Sequence, residues 1–286
     1  MPKPGDGAAR SISFEGQVAV VTGAGRGLGA AYARLLAARG ASVLVHDAGV
    51  TPDGDGFDPS PADDVVQQIV SNGGTGAACY ENLEDPTACR RVIESAIDRF
   101  GRLDVLVHNA GLVIFSEMPE MSADIWNRMV NLGVHAPYYL IRAAIPLMRQ
   151  QRYGRIVLTT SGRALRVSDC VPGLVGYSVG KMAQLGLMVA VAAENQDYGI
   201  HINAVSPVAA TRVLRRHRPE LLPELAAPGV AFLASRACKE SGVVLLAAGG
   251  RFQAAQWIDR QGIDFGKTSV DPESIGARWQ EICGRS

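Results

Sequence analysis

The chain has 286 residues, 28 Lys and Arg against 28 Asp and Glu, and a hydrophobic content of 47%. A balanced charge produces no long-range field that would attract nucleic acid or an anionic membrane, so neither is expected as a partner. The five cysteines have no metal-ligand spacing, and no uninterrupted apolar run approaches the roughly 18 residues of a membrane span. We therefore expect a cytoplasmic protein without a metal. Residues 1–13 lack a secretion signal and are expected to form a loose tail.

Short β-branched runs alternate with longer helical patterns, which is typical of a parallel sheet covered on both faces. The predicted strands are Val18 to Thr22, Ser42 to His46, Gly76 to Tyr80, Val105 to His108, Arg155 to Thr160, His201 to Ser206 and Gly242 to Ala247. The predicted helices begin near Leu28, Ala62, Pro86, Ala123, Pro137, Tyr177 and Leu222. This order predicts one α/β domain over residues 14–262, a Rossmann fold with a doubly wound, seven-stranded parallel sheet, followed by a tail over residues 263–286.

The first strand runs directly into a glycine-rich turn, Thr22 to Gly29. Glycines let a backbone turn tightly and approach a pyrophosphate, and the N-terminus of the next helix offers N–H groups and a favourable dipole. Such turns also serve only to join a strand to a helix, but the order of strand, turn and helix favours a dinucleotide site. Its candidate contacts are Gly23, Arg26, Gly27, Leu28 and Gly29.

Asp47 ends the second strand, 24 positions after Gly23. An acid at about this offset, roughly 20 residues, accepts hydrogen bonds from the adenosine ribose and repels a 2′-phosphate. The sequence therefore favours NAD over NADP. Arg26 argues in the opposite direction, because a cation in the turn can pair with that phosphate. The alternative for Asp47 is a plain turn or helix cap.

Two stretches interrupt the alternation. Gly49 to Pro61 is rich in Gly, Pro and Asp, which predicts a surface loop that borders the adenosine end of the dinucleotide. Its alternating acids are not a calcium loop, because the twelfth position lacks Glu. Arg212 to Pro228 follows the sixth strand at the edge where ligands bind in such sheets, so it is a candidate substrate lid.

Tyr177 and Lys181 are four residues apart on a predicted helix, so their side chains share one face. An ammonium beside a phenol lowers the pKa of the phenol, which would allow Tyr177 to exchange protons near neutrality. Alone, this spacing is also common on solvated helix faces.

Together these motifs resemble the short-chain dehydrogenase/reductase family over about Phe14 to Ala248. The matching motifs, in chain order, are the turn at Thr22 to Gly29, Asn109-Ala110-Gly111, Asn131 in Val-Asn-Leu, Ser161 after the fifth strand, and Tyr177-x-x-x-Lys181. The loop after the second strand and the segment Gly249 to Trp257 are most similar to the hydroxyacyl-CoA dehydrogenase branch of peroxisomal multifunctional enzymes.

The resemblance implies hydride transfer between a nicotinamide cofactor and a secondary alcohol or ketone. Tyr177 is then the general acid/base, and Lys181 holds the nicotinamide ribose and lowers the pKa of the phenol. Ser161 positions the substrate oxygen, and Asn131 anchors a water chain from Lys181 to solvent. The other implied cofactor contacts are Asn109, Gly111, Pro207, Val208 and Thr211 along the groove, and Glu81 and Asn82 at the adenine. The resemblance also implies a homodimer or homotetramer, built through the apolar helix around Met182 to Ala193.

The sequence departs from the family between Ser161 and Tyr177, which are 16 positions apart. The loop Arg163 to Gly176 is therefore enlarged, and it walls the substrate pocket. Its apolar residues favour an apolar substrate, whereas arginines there and in the candidate lid are suited to an anionic tail such as coenzyme A. The apolar residues are Leu165, Val167, Val171, Leu174 and Val175, and the arginines are Arg163, Arg166, Arg212, Arg215 and Arg216. A hydroxyacyl-CoA, a steroid and a secondary-metabolite intermediate all remain candidates, and a non-catalytic dinucleotide sensor or scaffold is the alternative.

Overall fold

The structure is a computed structural model that describes residues 11–51, 54–209, 219–266 and 270–284. The strands are β1 Val18–Thr22, β2 Ser42–His46, β3 Thr75–Cys79, β4 Val105–His108, β5 Gly154–Thr159, β6 Ile200–Val208, β7 Val244–Ala248 and β8 Arg251–Ala255. The helices are α1 Gly27–Ala38, α2 Ser60–Ser71, α3 Pro86–Phe100, α4 Ala123–Val130, α5 Ala136–Gln151, α6 Gly162–Leu165, α7 Val175–Glu194, α8 Ala227–Leu233, α9 Pro272–Ala277 and α10 Trp279–Ile282.

The described strands form one sheet in the order β3-β2-β1-β4-β5-β6-β7-β8. From β1 the chain first adds β2 and β3 on one side and then adds β4 to β8 on the other side. The order of strands therefore reverses between β1 and β4, and ligands bind at such a point in open α/β sheets. The prediction of a doubly wound α/β fold is confirmed. Compared with the predicted strands, β3 and β5 each begin and end one residue earlier, and β6 begins one residue earlier and ends two residues later. Strand β7 begins two residues later and ends one residue later.

The central strands are apolar on both sides because helices cover both faces of the sheet. All five residues of β1 are buried, and those that point to one face join a core cluster with α1, α2 and α8. On the other side of the sheet α3 packs against α5, and α4 packs against α7. Local signals set the helix ends: in α3, Asp85 accepts a hydrogen bond from the Thr87 N–H at 2.8 Å, and Gly101 ends the helix in the left-handed conformation.

The described sheet has eight strands rather than the predicted seven, because the sequence prediction missed β8. Gly249 and Gly250 join β7 to β8 with φ values of 54° and 78°. Two consecutive positive φ values define the tight turn that connects neighbouring antiparallel strands. The eighth strand is therefore an antiparallel edge on an otherwise parallel sheet.

The chain divides into two compact units, Met1–Ala254 and Ala255–Ser286. The first contains the sheet and its helices. The second contains the short helices α9 and α10, and Asp271 caps α9 by accepting a hydrogen bond from the Ser274 N–H at 2.8 Å. The predicted limits of the domain, residues 14 and 262, stay predictions.

Among the described residues, α7 is the one helix long and apolar enough to cross a membrane by length and composition. The sequence predicts no membrane span because no apolar run is long enough without interruption, and Lys181 interrupts this helix. In the structure α7 packs against β5, β6 and α4, and Lys181 is buried. These contacts are those of a core helix.

Candidate active site

The glycine-rich turn is held tightly between β1 and the end of β4. Gly23 has a φ of 62°, and a Cβ on it would lie 2.8 Å from the Ala110 Cα. A Cβ on Gly29 would overlap the Gly23 carbonyl oxygen. The Asn109 side-chain amide donates to the carbonyl oxygens of Thr22 and Gly23 at 3.3 and 3.1 Å. Asn109 therefore fixes the turn.

The start of α1 is available to a phosphate. Arg26 is the N-cap residue and makes no side-chain capping bond, and Leu28 is partly buried against the core behind the turn. The first N–H groups of a helix have no partner within the helix, so they can bind an anion. Gly27 and Gly29 keep this surface free of side chains. The residues present fit the pyrophosphate of a dinucleotide.

Asp47 lies beside this turn and is 7% exposed. One carboxylate oxygen accepts the Gly25 N–H at 2.9 Å, and the other accepts the Gly49 N–H at 2.9 Å. Each oxygen keeps a further acceptor position, which suits the hydroxyls of a ribose. Arg26 pairs instead with Asp58 at 3.7 Å.

The side chains of the two predicted adenine contacts, Glu81 and Asn82, already have partners within the chain. Glu81 makes a bidentate ion pair with Arg91, with distances of 3.0 and 2.6 Å. The Asn82 side-chain oxygen accepts the Glu84 N–H at 3.0 Å. The structure therefore places Glu81 in a surface ion pair and Asn82 in a turn.

Ser161, Tyr177 and Lys181 converge at the carboxyl end of β5. Ser161 lies two residues beyond the end of β5, its hydroxyl caps α6 by accepting the Arg163 N–H at 3.3 Å, and it lies near enough to the Tyr177 phenol to lower the pKa of that phenol. The Lys181 Nζ lies 5.7 Å from the centre of the Tyr177 ring and donates to the Thr159 carbonyl oxygen at 2.7 Å. A Cβ on Gly111 would be 3.5 Å from the same Nζ. Ser161, Tyr177 and Lys181, which we call the triad, thus lie close together, with Gly111 beside Lys181.

The electrostatics differ from the expectation that Lys181 lowers the pKa of Tyr177. Burial raises the pKa of Tyr177, while the nearby Ser161 hydroxyl and the charge of Arg163 act in the opposite direction. Burial also lowers the pKa of Lys181 from 10.5 to about 8. The ammonium interacts with the Thr159 carbonyl and the face of the ring, so desolvation controls both groups.

Asn131 begins a wide helical turn, Asn131–His135, that joins α4 to α5. Its carbonyl oxygen accepts the Ala136 N–H, five residues on, a spacing that is frequent at functional sites. The turn rests directly on α7: a Cβ on Gly133 would be 2.8 Å from the Gly180 Cα, and a Cβ on Gly180 would be 2.9 Å from the Gly133 Cα. The sequence reading missed this pair, because nothing in a single chain marks two distant glycines as partners.

A small cavity of about 10 Å³ lies between this turn and α7. It is lined by Gly111, Leu112, Met129, Gly133, Gly176, Tyr177, Gly180 and Lys181. This is close to the volume that one water molecule needs.

A buried histidine links the turn to the strand beside it. The Thr22 hydroxyl accepts the N–H groups of Asn109 and Ala110, each at 3.1 Å, so its own proton points to the His108 Nδ1 at 3.1 Å. Burial lowers the pKa of His108 from 6.5 to about 3. The imidazole is therefore neutral, and His108 is a packed residue at the end of β4.

The nicotinamide end of the groove is described in part. Pro207 and Val208 are the last residues of β6, in register with Ala247 and Ala248, and Val208 is 46% exposed. Thr211, Arg212, Arg215 and Arg216 lie outside the described residues, so the first part of the candidate lid does too.

The wall before α7 divides into a fixed base and an exposed rim. Leu174 is only 1% exposed, so it belongs to the core and not to the substrate surface that the sequence predicts. The Gly173 carbonyl oxygen accepts the Ser116 N–H at 2.9 Å. Val167 and Val171 are exposed, as are Phe115 and Met118 on the facing loop. Arg166 forms an ion pair with Asp169.

Comparison with known proteins defines the class first. Residues 17–220 match the short chain dehydrogenase family, and the fold and the Ser161, Tyr177 and Lys181 arrangement agree with that match. The chain belongs to the short-chain dehydrogenase/reductase family and is an NAD(P)-dependent oxidoreductase. The resemblance stated from the motifs is confirmed.

Particular relatives can then be named. The chain is 36% identical, over 93% of its length and 93% of the relative, to a putative short-chain type dehydrogenase/reductase of Mycobacterium tuberculosis. It is also 36% identical to the peroxisomal multifunctional enzyme type 2 of Drosophila melanogaster, covering 92% of this chain but 44% of that protein. A crystal structure of a short chain dehydrogenase from Mycobacterium avium matches with a TM-score of 0.83 and 32% identity, over 96% of both chains.

Solved relatives differ in cofactor. A 7α-hydroxysteroid dehydrogenase complexed with NADH and 7-oxo glycochenodeoxycholic acid has a TM-score of 0.74 and 27% identity, over 83% of this chain and 95% of its own. A metagenomic short-chain oxidoreductase in complex with NADP has a TM-score of 0.68 and 30% identity, over 80% and 95%. Both dinucleotides therefore occur on this fold.

Proposed function

We propose that the protein transfers hydride between NAD and a secondary alcohol or ketone, with Tyr177 as the general acid/base. The observation that carries the proposal is the convergence of Ser161, Tyr177 and Lys181 after β5, with the Lys181 Nζ 5.7 Å from the centre of the Tyr177 ring and the Ser161 hydroxyl near the phenol. Two neighbouring hydroxyls can bind a single substrate oxygen. A nicotinamide dinucleotide supplies or accepts the hydride.

Each residue has a distinct part in this chemistry. In reduction Tyr177 donates a proton to the substrate oxygen, and in oxidation it removes that proton. Ser161 donates a hydrogen bond that fixes the oxygen beside the phenol. Lys181 binds the nicotinamide ribose. Asn131 and a water in the small cavity return the proton to solvent.

Preference for NAD is supported by the two acids around the turn. Asp47 offers acceptors to ribose hydroxyls, and Asp58 pairs with the cation that would otherwise be free for a 2′-phosphate. A phosphate placed here would meet the partly desolvated carboxylate of Asp47. We expect Asp47→Ala to raise the ratio of NADP to NAD affinity by about tenfold or more, measured by fluorescence titration with the reduced forms. An unchanged ratio would show that Asp47 does not select the cofactor.

The substrate is proposed to be mainly apolar, because side chains are exposed on the wall before α7, at Val167 and Val171, and on the loop that Ser116 bonds to it, at Phe115 and Met118. Fatty acyl and steroid skeletons both suit such a surface. Among the chain's relatives are multifunctional enzymes of peroxisomes and a hydroxysteroid dehydrogenase. We therefore place hydroxyacyl-CoA thioesters and steroid alcohols first in a substrate panel, followed by secondary-metabolite alcohols.

The test is NADH formation with that panel, for wild type and for Tyr177→Phe, with NADH binding measured in parallel. Loss of general acid/base catalysis lowers kcat by about 10²- to 10⁴-fold, while NADH affinity changes little. Tyr198→Phe is the matched control, because Tyr198 lies outside the triad and its ring contacts with Arg149 and Arg152 are kept by Phe. Equal turnover by Tyr177→Phe and wild type would refute the mechanism. Binding of NADH with no turnover on any substrate would favour the sensor or scaffold alternative.

A homodimer or homotetramer is also proposed. One side of α7 exposes Val179, Met182 and Val189, with exposed fractions of 40, 38 and 61%. Beside it a hollow of about 480 Å³ is lined by residues that include Tyr138 and Leu187. An apolar helix face of this kind is commonly buried between copies. Sedimentation of wild type and of Val189→Glu tests this: the variant should dissociate.

A further inference from the structure

Arg128 on α4 contacts two loops that belong to other parts of the sheet. Its guanidinium donates to the Gly54 carbonyl oxygen at 2.7 Å and lies 3.4 Å from Asp55 Oδ1. Its Nε lies 3.5 Å from Glu84 Oε1. Gly54 and Asp55 follow β2, and Glu84 follows β3. One side chain thus joins the loops after β2 and β3 to the helix that follows β4.

These contacts cross the edge of the sheet where the dinucleotide groove lies. The loop after β2 leads into α2, which packs with α1 on one face, whereas α4 packs with α7 on the other. In the sheet order, β1 with its glycine-rich turn lies between β2 and β4. A loop from β2 that reaches α4 must therefore pass above the carboxyl end of β1.

Residues 54–61, which we call the strap, contact both ends of that groove. At one end, a Cβ on Gly25 would be 2.8 Å from the Pro61 Cβ, and Asp58 pairs with Arg26. At the other end, a Cβ on Gly54 would be 3.3 Å from the Leu112 side chain. Leu112 lines the small cavity with Tyr177 and Lys181. The strap therefore spans from the turn to the residues beside the triad.

We propose that Arg128 is a positioning residue that fastens the strap over the bound dinucleotide and slows its release. The inference rests on the proposed dinucleotide binding, but the fastening itself is a property of the chain alone. Arg128 has one strong bond, to the Gly54 carbonyl, and two longer contacts with acids. The Asp55 carboxylate is 76% exposed and adds little, so the planar guanidinium and its bond to the backbone account for most of the effect.

The first experiment needs no cofactor. Hydrogen exchange of the amides of residues 54–58 and Ser60 is compared in wild type, Arg128→Ala, Arg128→Lys and Arg90→Ala. Arg90 is the control, since it is an exposed arginine that pairs with Glu94 on α3. Loss of the Gly54 bond should raise strap exchange by about tenfold, because opening no longer breaks a charged hydrogen bond. Arg128→Lys should be intermediate, because one ammonium can replace only the Gly54 contact.

The second experiment measures NADH dissociation from the same variants by stopped-flow fluorescence. Arg128→Ala should release NADH about tenfold faster, with the same direction and a smaller change in Arg128→Lys, while Arg90→Ala behaves as wild type. The KM for NAD should rise, and kcat should not fall. If Arg128→Ala does not fold, the same measurements are made on Arg128→Lys and Arg128→Gln.

Two results would overturn the proposal. Unchanged strap exchange in Arg128→Ala would show that the guanidinium does not fasten the loop. Faster exchange with unchanged NADH release would show that the strap does not retain the dinucleotide. In both cases wild-type NADH binding leaves the proposed oxidoreductase function intact. Failure of wild type to bind NADH would instead refute the proposed function and, with it, retention by the strap.

Discussion

The two halves of the groove are built differently. The cofactor half, from β1 to β4, is held by short hydrogen bonds from buried side chains. Asn109 bonds to the glycine-rich turn, Asp47 bonds to the N–H groups of Gly25 and Gly49, and His108 bonds to Thr22. The catalytic half, from β5 to α7, has exposed apolar side chains and two catalytic groups whose pKa values are displaced by burial. The cofactor half, which every substrate would use in the same way, is held in one arrangement. The catalytic half, which would recognise a particular substrate, presents side chains on loops that can vary.

The largest expected effect tests the rigidity of the cofactor half. Gly29→Ala puts a methyl group on the Gly23 carbonyl oxygen, and the backbone of the turn must move. We expect NADH affinity to fall by more than about 1,000-fold, or more than about 4 kcal/mol. Gly276→Ala in α9, where a Cβ meets nothing within 4 Å, is the control. Titration with NADH measures both, and normal affinity in Gly29→Ala would mean that the turn is flexible.

The second prediction compares the buried base and the exposed rim of the wall before α7. Leu174→Ala removes a side chain that is 1% exposed and should lower the free energy of unfolding by about 2–4 kcal/mol. Val171→Ala, at a position that is 40% exposed, should change it by less than about 0.5 kcal/mol. Urea denaturation compares the two variants. Equal losses would contradict the division of this wall into two parts.

The third prediction uses two glycines of one helix. Gly180→Ala should push the turn that bears Asn131 away from α7 and lower kcat by about tenfold or more, because small displacements of catalytic groups are costly. Gly186→Ala, where a Cβ has open space, should leave kcat unchanged and stabilise the helix by up to about 1 kcal/mol. Steady-state rates and melting temperatures report both. A kcat in Gly180→Ala equal to that of Gly186→Ala would show that the glycine contact does not position Asn131.

The smallest expected effect concerns acid stability in the cofactor half. The folded pKa of His108, about 3, lies below the ordinary value of 6.5, so the unfolded chain binds a proton more readily. The contribution of neutral His108 to the free energy of unfolding is complete above about pH 6.5 and is lost as the pH falls towards 3. Between pH 7.5 and 5.5 we expect a loss of about 1 kcal/mol, which His108→Asn should remove. Exposed His135→Asn is the control in urea denaturation at both values, and an equal loss in His108→Asn would contradict the assignment.

Sequence could predict what depends on local pattern. The alternation of strands and helices, the turn after β1 and the Tyr177–Lys181 spacing all follow from residues close together in the chain. It could not predict what depends on distant partners. The ion pair between Glu81 and Arg91 has no signal in the sequence, and Glu81 stays a prediction as an adenine contact. Leu174 was assigned to the substrate surface because burial is a property of the fold.

The pKa of Tyr177 and the strand β8 were missed for related reasons. Spacing on a helix correctly brings Lys181 near the phenol, but desolvation depends on everything else that covers both groups. Strand β8 has four exposed residues in five, so it lacks the apolar alternation that marks a strand. Its signal is the Gly249-Gly250 turn, which becomes specific only once β7 is known to precede it.

That turn also bears on how the chain folds. The parallel pairs of the sheet join strands that lie far apart in sequence, and residues of β1 and β4 such as Thr22 and His108 are 86 positions apart. Closing such long loops is slow, whereas a hairpin forms in about 1–10 μs. The β7–β8 hairpin is a local contact at the end of a sheet made of distant ones. Its two strands can therefore meet quickly, but an isolated hairpin is only marginally stable in water, so we expect it to persist only once β7 pairs with β6.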